Sequence, residues 1–165
     1  GATLQRLGIC SEMTIASVLA EQSGVEIVDL TTLKPEPETL KLIPREIAEN
    51  KVVLQISDED AYKQTLVLNV ASNLIKHYGP DKVDVEIVAF GPGLRLLFAD
   101  NSNSGRIDSL STGSGVRFSA CDNTTKKVTA ALGHAPEFNS HAGHVDAGVV
   151  RILELVGRGY TLIKP

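Results

Sequence analysis

Cys121 is the residue in this chain whose type and setting most directly suggest chemistry. It closes an apolar run, Val116-Arg117-Phe118-Ser119-Ala120, and precedes Asp122-Asn123-Thr124-Thr125-Lys126-Lys127, which reads as a helix start. Helix N-termini carry unpaired N–H groups and a partial positive charge. A thiol there ionises more readily, and the thiolate is the nucleophile. Asp122 acts in both directions: its charge opposes a neighbouring thiolate, while an acidic residue suits a first helical turn. The plain alternative is a small buried apolar residue, a common role for cysteine. Exposure separates the two.

Three further groups are chemically suggestive. His141 and His144, with His134 and Asp146, could join Cys121 as zinc ligands, since imidazole and thiolate suit that ion. One of these histidines could instead act as base to the thiol. No helix is evident there, and a solvated loop explains them without either role. Gly91-Pro92-Gly93 could approach a phosphate backbone-first. It lacks the six-position dinucleotide fingerprint, and Pro92 removes a donor, so a tight strand-to-helix turn is expected. Asp58, Glu59 and Asp60 could hold a cation, but a helix start capped by Ser57 or Asp58 accounts for them. No metal or cofactor is therefore assigned.

The elements that must position these residues follow from hydrophobic period. Val52-Val53-Leu54-Gln55-Ile56 is a continuous apolar run, as in a central parallel strand covered on both faces. A helix is expected from about residue 59 to 77, with Val67, Val70, Ala71 and Leu74 as its stripe. A second strand spans 83–90. The turn at Gly91 leads to a helix carrying Leu94, Leu96 and Leu97. A short helix is expected at 106–110, a strand at 115–120 with Val116, Phe118 and Ala120 on one face, and a helix at 122–132. Residues 133–143 show no clear period. A brief strand at 145–147, a helix at 148–156 with Val149, Ile152, Leu153 and Val156 inward, and a strand at 160–163 complete the chain. Alternating strands and helices imply right-handed βαβ units and an α/β three-layer sandwich on a mostly parallel sheet. In such sheets the site lies at the carboxyl ends of the strands. Ser57-Asp58, Gly91-Pro92-Gly93 and Cys121-Asp122-Asn123 would then share one rim.

Residues 1–50 form a separate appendage in this reading, with short helices expected after Ser11, at Pro37–Leu42 and from Pro44. The main domain is 51–165. The chain has 165 residues, of which 42% are hydrophobic and 22% charged, enough for a real core without a disulfide framework. Cys10 and Cys121 are too few for a four-thiolate zinc site. A net charge of -4 and 4% aromatics recommend no nucleic-acid partner. No run approaches a membrane span and no signal peptide is visible, so no membrane role is expected and the cytoplasm is the default compartment.

Four ordered segments add a family resemblance: 51–57, Val88-Ala89-Phe90-Gly91-Pro92-Gly93-Leu94, 115–124, and Ala147-Gly148-Val149-Val150 with Tyr160-Thr161-Leu162-Ile163-Lys164-Pro165. They resemble the DsrE/DsrF-like family. The resemblance implies a flavodoxin-like sandwich, a homo-oligomer (trimer or hexamer), and persulfide sulfur carried on Cys121 between donor and acceptor proteins. It also leaves a non-catalytic alternative, an oligomeric binding or regulatory module. Residues 3–50, with Leu7-Gly8-Ile9, Val18-Leu19-Ala20-Glu21-Gln22 and Leu42-Ile43-Pro44-Arg45-Glu46, resemble the second half of the GspE/MshE N-terminal domain of secretion and pilus ATPases. That half implies docking or regulation, through a partner or small ligand.

Overall fold

The structure, a computed structural model, describes residues 50–165. The expected appendage at 1–50, apart from its last residue, lies outside the described residues, as does Cys10. Five strands form one sheet: β1 (Asn50–Ile56), β2 (Val83–Ala89), β3 (Arg117–Cys121), β4 (Ala142–Val145) and β5 (Thr161–Ile163). Their order is β4-β3-β2-β1-β5, and every pairing is parallel. Four α-helices pack on it: α1 (Ala61–Tyr78), α2 (Ser104–Ser114), α3 (Asp122–Leu132) and α4 (Gly148–Gly157). The domain is an α/β three-layer sandwich of flavodoxin-like type. No described helix is long and apolar enough to cross a membrane.

The two sheet faces are covered unequally. On one, Val52, Leu54 and Ile56 of β1, Val85 and Ile87 of β2, and Phe118 and Ala120 of β3 meet Val67, Leu68 and Ala71 of α1. Leu94, Leu96 and Leu97, then Ile107 and Leu110 of α2, extend that core, and Val128 of α3 packs against it. On the other face α4 is the one helix among the described residues, with Ile152 and Leu155 against Val53, Val88 and Tyr160. Right-handed crossovers require this split. The steps from β1 to β4 all run one way across the sheet, so their connections share one layer. The step from β4 to β5 runs back and takes the opposite layer.

Several boundaries differ from the sequence reading. Helix α1 starts at Ala61, and its cap is Asp60, whose side chain accepts from Lys63 N at 3.0 Å. Ser57 and Asp58 precede it; Asp58 accepts from Asp60 N at 3.0 Å and pairs with Lys63. Residues Gly91–Leu97 form a 3₁₀ helix rather than an α-helix. Helix α2 is longer than expected and ends at Gly115, which is left-handed with φ 65°, so β3 begins only at Arg117. Strand β4 starts earlier, at Ala142.

The inward face of α4 is corrected. Gly148, Ile152 and Leu155 are buried, whereas Val149, Leu153 and Val156 are exposed. Gly148 fixes the rotation. A Cβ there would sit 3.0 Å from Phe90 Cδ1 and 3.3 Å from Cys121 Cβ, so the position against the sheet needs a hydrogen for a side chain. Residues four and seven along then face inward with it.

Gly93 is the other tight glycine. A Cβ there would lie 2.5 Å from the Ile56 carbonyl oxygen and 2.7 Å from Ser57 N. Both neighbours are backbone and cannot rotate away. Gly93→Ala is expected to cost about 3 kcal/mol or more in urea unfolding. Asp60→Ala, which removes only a cap, is expected to cost about 1 kcal/mol. Equal small losses in the two variants would contradict the close approach.

Candidate functional site at the carboxyl ends of the strands

Adjacent strands whose connections leave to opposite layers open a crevice at their carboxyl ends. Here those strands are β3, which continues into α3, and β4, which leads to α4. Cys121 lies in that crevice as the last residue of β3 and the N-cap of α3. Side chains alternate along a strand. Cys121 therefore shares the α4 face with Ser119 and Arg117, opposite Phe118 and Ala120.

The sulfur meets donors from both helices. Gly148 at the start of α4 packs on it, a Cβ there falling 3.3 Å from Cys121 Cβ, and the Gly148 N–H, the Thr124 hydroxyl and the N–H groups of Thr124 and Asn123 at the start of α3 favour its charged form. Burial pushes the Cys121 thiol up, but these hydrogen bonds outweigh it and hold the thiol below its ordinary value. The residue is only 4% exposed. Exposure alone would favour the packing role. The setting does not, because the first turns of two helices meet at this thiol and favour its charged form.

The neighbouring turns close around this point. Phe90 N donates to Ile56 O at 3.1 Å, and Gly91 N donates to Thr124 Oγ1 at 3.0 Å. Thr124 thus relays from the glycine turn to the sulfur. Asn123 N also reaches Asp146 O at 3.2 Å, tying α3 to the segment before α4. Of the residues expected on one rim, Ser57, Gly91, Gly93, Cys121 and Asn123 are brought together. Pro92, and Gly91 on its other side, line with Leu94, Phe98, Val128 and Leu132 a cleft of about 610 Å³ that Cys121 does not line. Asp58 is turned to Lys63.

The histidines do not gather at the thiol. His144 pairs with Ala120 in register, so it lies on the opposite face from Cys121. Its Nδ1 is 2.7 Å from Asp122 Oδ1, and its ring stands edge-on to Phe138. The Asp122 carboxylate is thereby directed to β4. His141 lies before β4, at the amino end, with Nε2 3.9 Å from Asp108 Oδ1. Register puts Ala142 opposite Phe118, three positions from Cys121, roughly 10 Å along the strand. His134 has its Nδ1 3.0 Å from Ala135 O. Among the described residues no group of three or more His, Cys, Asp or Glu could hold a metal. His144 by its face and His141 by its distance are thus set apart from Cys121.

A charged cluster beneath α4 escaped the sequence reading. Glu86 in the middle of β2 is 0% exposed, and Asp84 on the same face is 3–4% exposed by side chain and residue. Glu86 accepts from Ser119 Oγ at 2.8 Å, Arg117 Nε at 3.0 Å, and Arg151 Nε and Nη2 at 2.7 and 2.9 Å. Asp84 Oδ1 lies 2.8 Å from Arg117 Nη1, and its other oxygen accepts the Tyr160 hydroxyl. Burial pushes the Glu86 carboxyl up, yet its arginine and serine partners hold it below the usual range. The signal available was two carboxylates spaced by two in an otherwise apolar central strand, since a buried charge needs a partner.

No family model matches the chain. The solved structure of MTH1491, a protein of unknown function from Methanobacterium thermoautotrophicum, superposes with a TM-score of 0.62 at 30% identity, covering 70% of this chain and 99% of that one. This chain belongs to the family of that archaeal protein. In the N-terminal region it is also similar to the type IV pilus assembly ATPase PilB of Myxococcus xanthus (strain DK1622), at 32% identity over 57 residues. The match takes in 34% of this chain and spans only 10% of the ATPase.

Thr124 supplies two of the contacts to sulfur. Thr124→Val removes the hydroxyl and keeps the shape. The pH midpoint of Cys121 alkylation by a small iodoacetamide reagent is expected to rise by about one unit, since a hydrogen bond to a charged group contributes roughly 1.5–3 kcal/mol. An unchanged midpoint would mean that the hydroxyl does not hold a thiolate.

Proposed function

We propose that the domain is a thiol-based sulfur relay of DsrE-like type in which Cys121 carries sulfane sulfur. The observation that supports this is the convergence of two helix N-termini on one sulfur atom. Those fixed N–H dipoles favour an anion. They are also in place before any reactant arrives.

The steps balance without an oxidant. The Cys121 thiolate attacks the outer sulfur of a donor persulfide. A new S–S bond forms, the donor's S–S bond breaks, and the donor leaves as a thiolate with that electron pair. The outer sulfur keeps its proton, so Cys121 becomes a persulfide. An acceptor thiolate then attacks that outer sulfur, and the Cys121 thiolate is the leaving group. A low-pKa cysteine suits the second step because it leaves readily. Cys121 is the one cysteine among the described residues, and in the relay the acceptor thiol is that of a partner protein. With 4% of the residue exposed, the sulfur atoms must arrive on a narrow carrier.

The second reading, a non-catalytic oligomeric binding or regulatory module, has its own support. Val149, Val150, Leu153 and Val156 leave α4 apolar on its outer side, with exposures of 42–65%. Contiguous exposed apolar surface marks interaction sites. Self-association through α4 is compatible with either reading, and the N-terminal segment would recruit the partner in both.

Incubation with a low-molecular-weight persulfide, followed by intact mass, separates them. The relay expects the gain of one sulfur in the wild type and in Cys10→Ser, and none in Cys121→Ala. Subsequent addition of a small thiol should remove the added sulfur. A folded wild type that gains no Cys121-dependent sulfur would remove the relay and leave the binding module.

A further inference from the structure

Helix α4 meets Cys121 at its first residue, Gly148, where a Cβ would lie only 3.3 Å from Cys121 Cβ, so that its N–H stands beside the sulfur, and the helix is tied to the sheet one turn later. Arg151 donates to both oxygens of Glu86, from Nε at 2.7 Å and Nη2 at 2.9 Å. A bidentate fork fixes direction as well as distance. Its anchor is well held. Glu86 is fully buried in β2 and receives Ser119 Oγ at 2.8 Å and Arg117 Nε at 3.0 Å from β3. Ser119 is two residues before Cys121 on the same face of that strand. Both walls of the sulfur site therefore refer to one carboxylate: β3 through Ser119 and Arg117, and α4 through Arg151.

We infer that Glu86 and Arg151 are positioning residues for Cys121, holding the first turn of α4 where the Gly148 N–H meets the sulfur. The inference rests on the reading of Cys121 as a reacting thiol. The apolar contacts of α4, through Ile152 and Leu155, also bind it to the sheet. Those contacts are non-directional and lie farther along the helix. They resist separation but not small slides or rotations. A hydrogen bond weakens steeply with angle, so a small slip at Gly148 is enough to lose it.

Charge has to be distinguished from position. The charged and titratable groups on the elements that meet at the thiol are Asp122 of α3 with its partner His144 of β4, Asp146 before α4, Arg151 of α4, and Arg117 of β3 with Glu86 and Asp84 of β2. Arg151→Lys keeps the positive charge but loses the fork. Arg151→Met loses both and, since Arg117 and Ser119 remain on Glu86, leaves that carboxylate partnered.

Two readouts in a Cys10→Ser background test this: the pH midpoint of Cys121 alkylation, and hydrogen exchange at the Gly148 amide followed by NMR. Arg151→Met should raise the midpoint by about one unit and speed Gly148 exchange about tenfold, the loss of one charge-assisted hydrogen bond. Arg151→Lys should recover only part of either. Leu155→Ala, a cavity variant that destabilises the same helix, should leave the midpoint unchanged. Wild-type midpoint and wild-type Gly148 exchange in folded Arg151→Met would overturn the inference, and so would complete recovery by Arg151→Lys, which would assign the effect to charge alone. If Arg151→Met does not fold, Glu86→Gln carries the same comparison. A wild-type thiol with an ordinary midpoint would defeat the thiol reading, and the Gly148 exchange rates would still decide whether the pair positions α4.

Discussion

The structure depends on one constraint of chirality. Right-handed crossovers send α1, α2 and α3 to one layer, and the return from β4 to β5 forces α4 to the other. The two helices that follow β3 and β4 must therefore diverge, and their N-termini flank a single crevice. Cys121 ends β3, so it stands where the first turns of both helices meet. Nothing in the residue itself makes it special. Its place in the connection order does.

Two opposing effects act on that thiol. Burial at 4% exposure disfavours the thiolate, and donors from Gly148, Thr124 and Asn123 favour it. Each charge-assisted hydrogen bond contributes roughly 1.5–3 kcal/mol, so several of them exceed a partial desolvation cost. The sign follows. The native thiol is held below its unfolded value, so the thiolate adds stability that is fully present above the ordinary thiol range and is lost as pH falls through the native value. Glu86 behaves alike at lower pH, being a carboxylate held below the usual range by Arg151, Ser119 and Arg117 against its own burial. A buried pair of this kind contributes little net stability, but removing one partner is costly. Its value here is directional.

Much of this was legible before the fold was seen. Val116, Phe118 and Ala120 share a buried face because alternation permits no other arrangement for that run. The strand-to-helix junction at Cys121 and the tight turn at Gly93 followed from residue types. The faces of α4 were not legible: Val149, Leu153 and Val156 are as apolar as Ile152 and Leu155, so the period cannot choose between two apolar stripes. Gly148, seated on Phe90 and Cys121, makes the choice, and only tertiary contact reveals it. Asp84 and Glu86 drew no reading from the sequence, because their partners are distant along the chain. Glu86 meets Arg117 and Arg151, and Asp84 meets Arg117 and Tyr160. His141 and His144 are close in sequence yet separated by the strand that runs between them.

The central claim is that Cys121 ionises below the ordinary thiol range because two helix N-termini favour its charge. Ultraviolet absorbance of the thiolate, titrated for the wild type and for Cys121→Ser, measures this without any reagent having to enter the crevice. The difference spectrum should titrate with a midpoint below the free-cysteine value of about 8.5. A midpoint at or above that value, in folded protein, would mean that burial prevails over the donors, and Cys121 would be a packing residue.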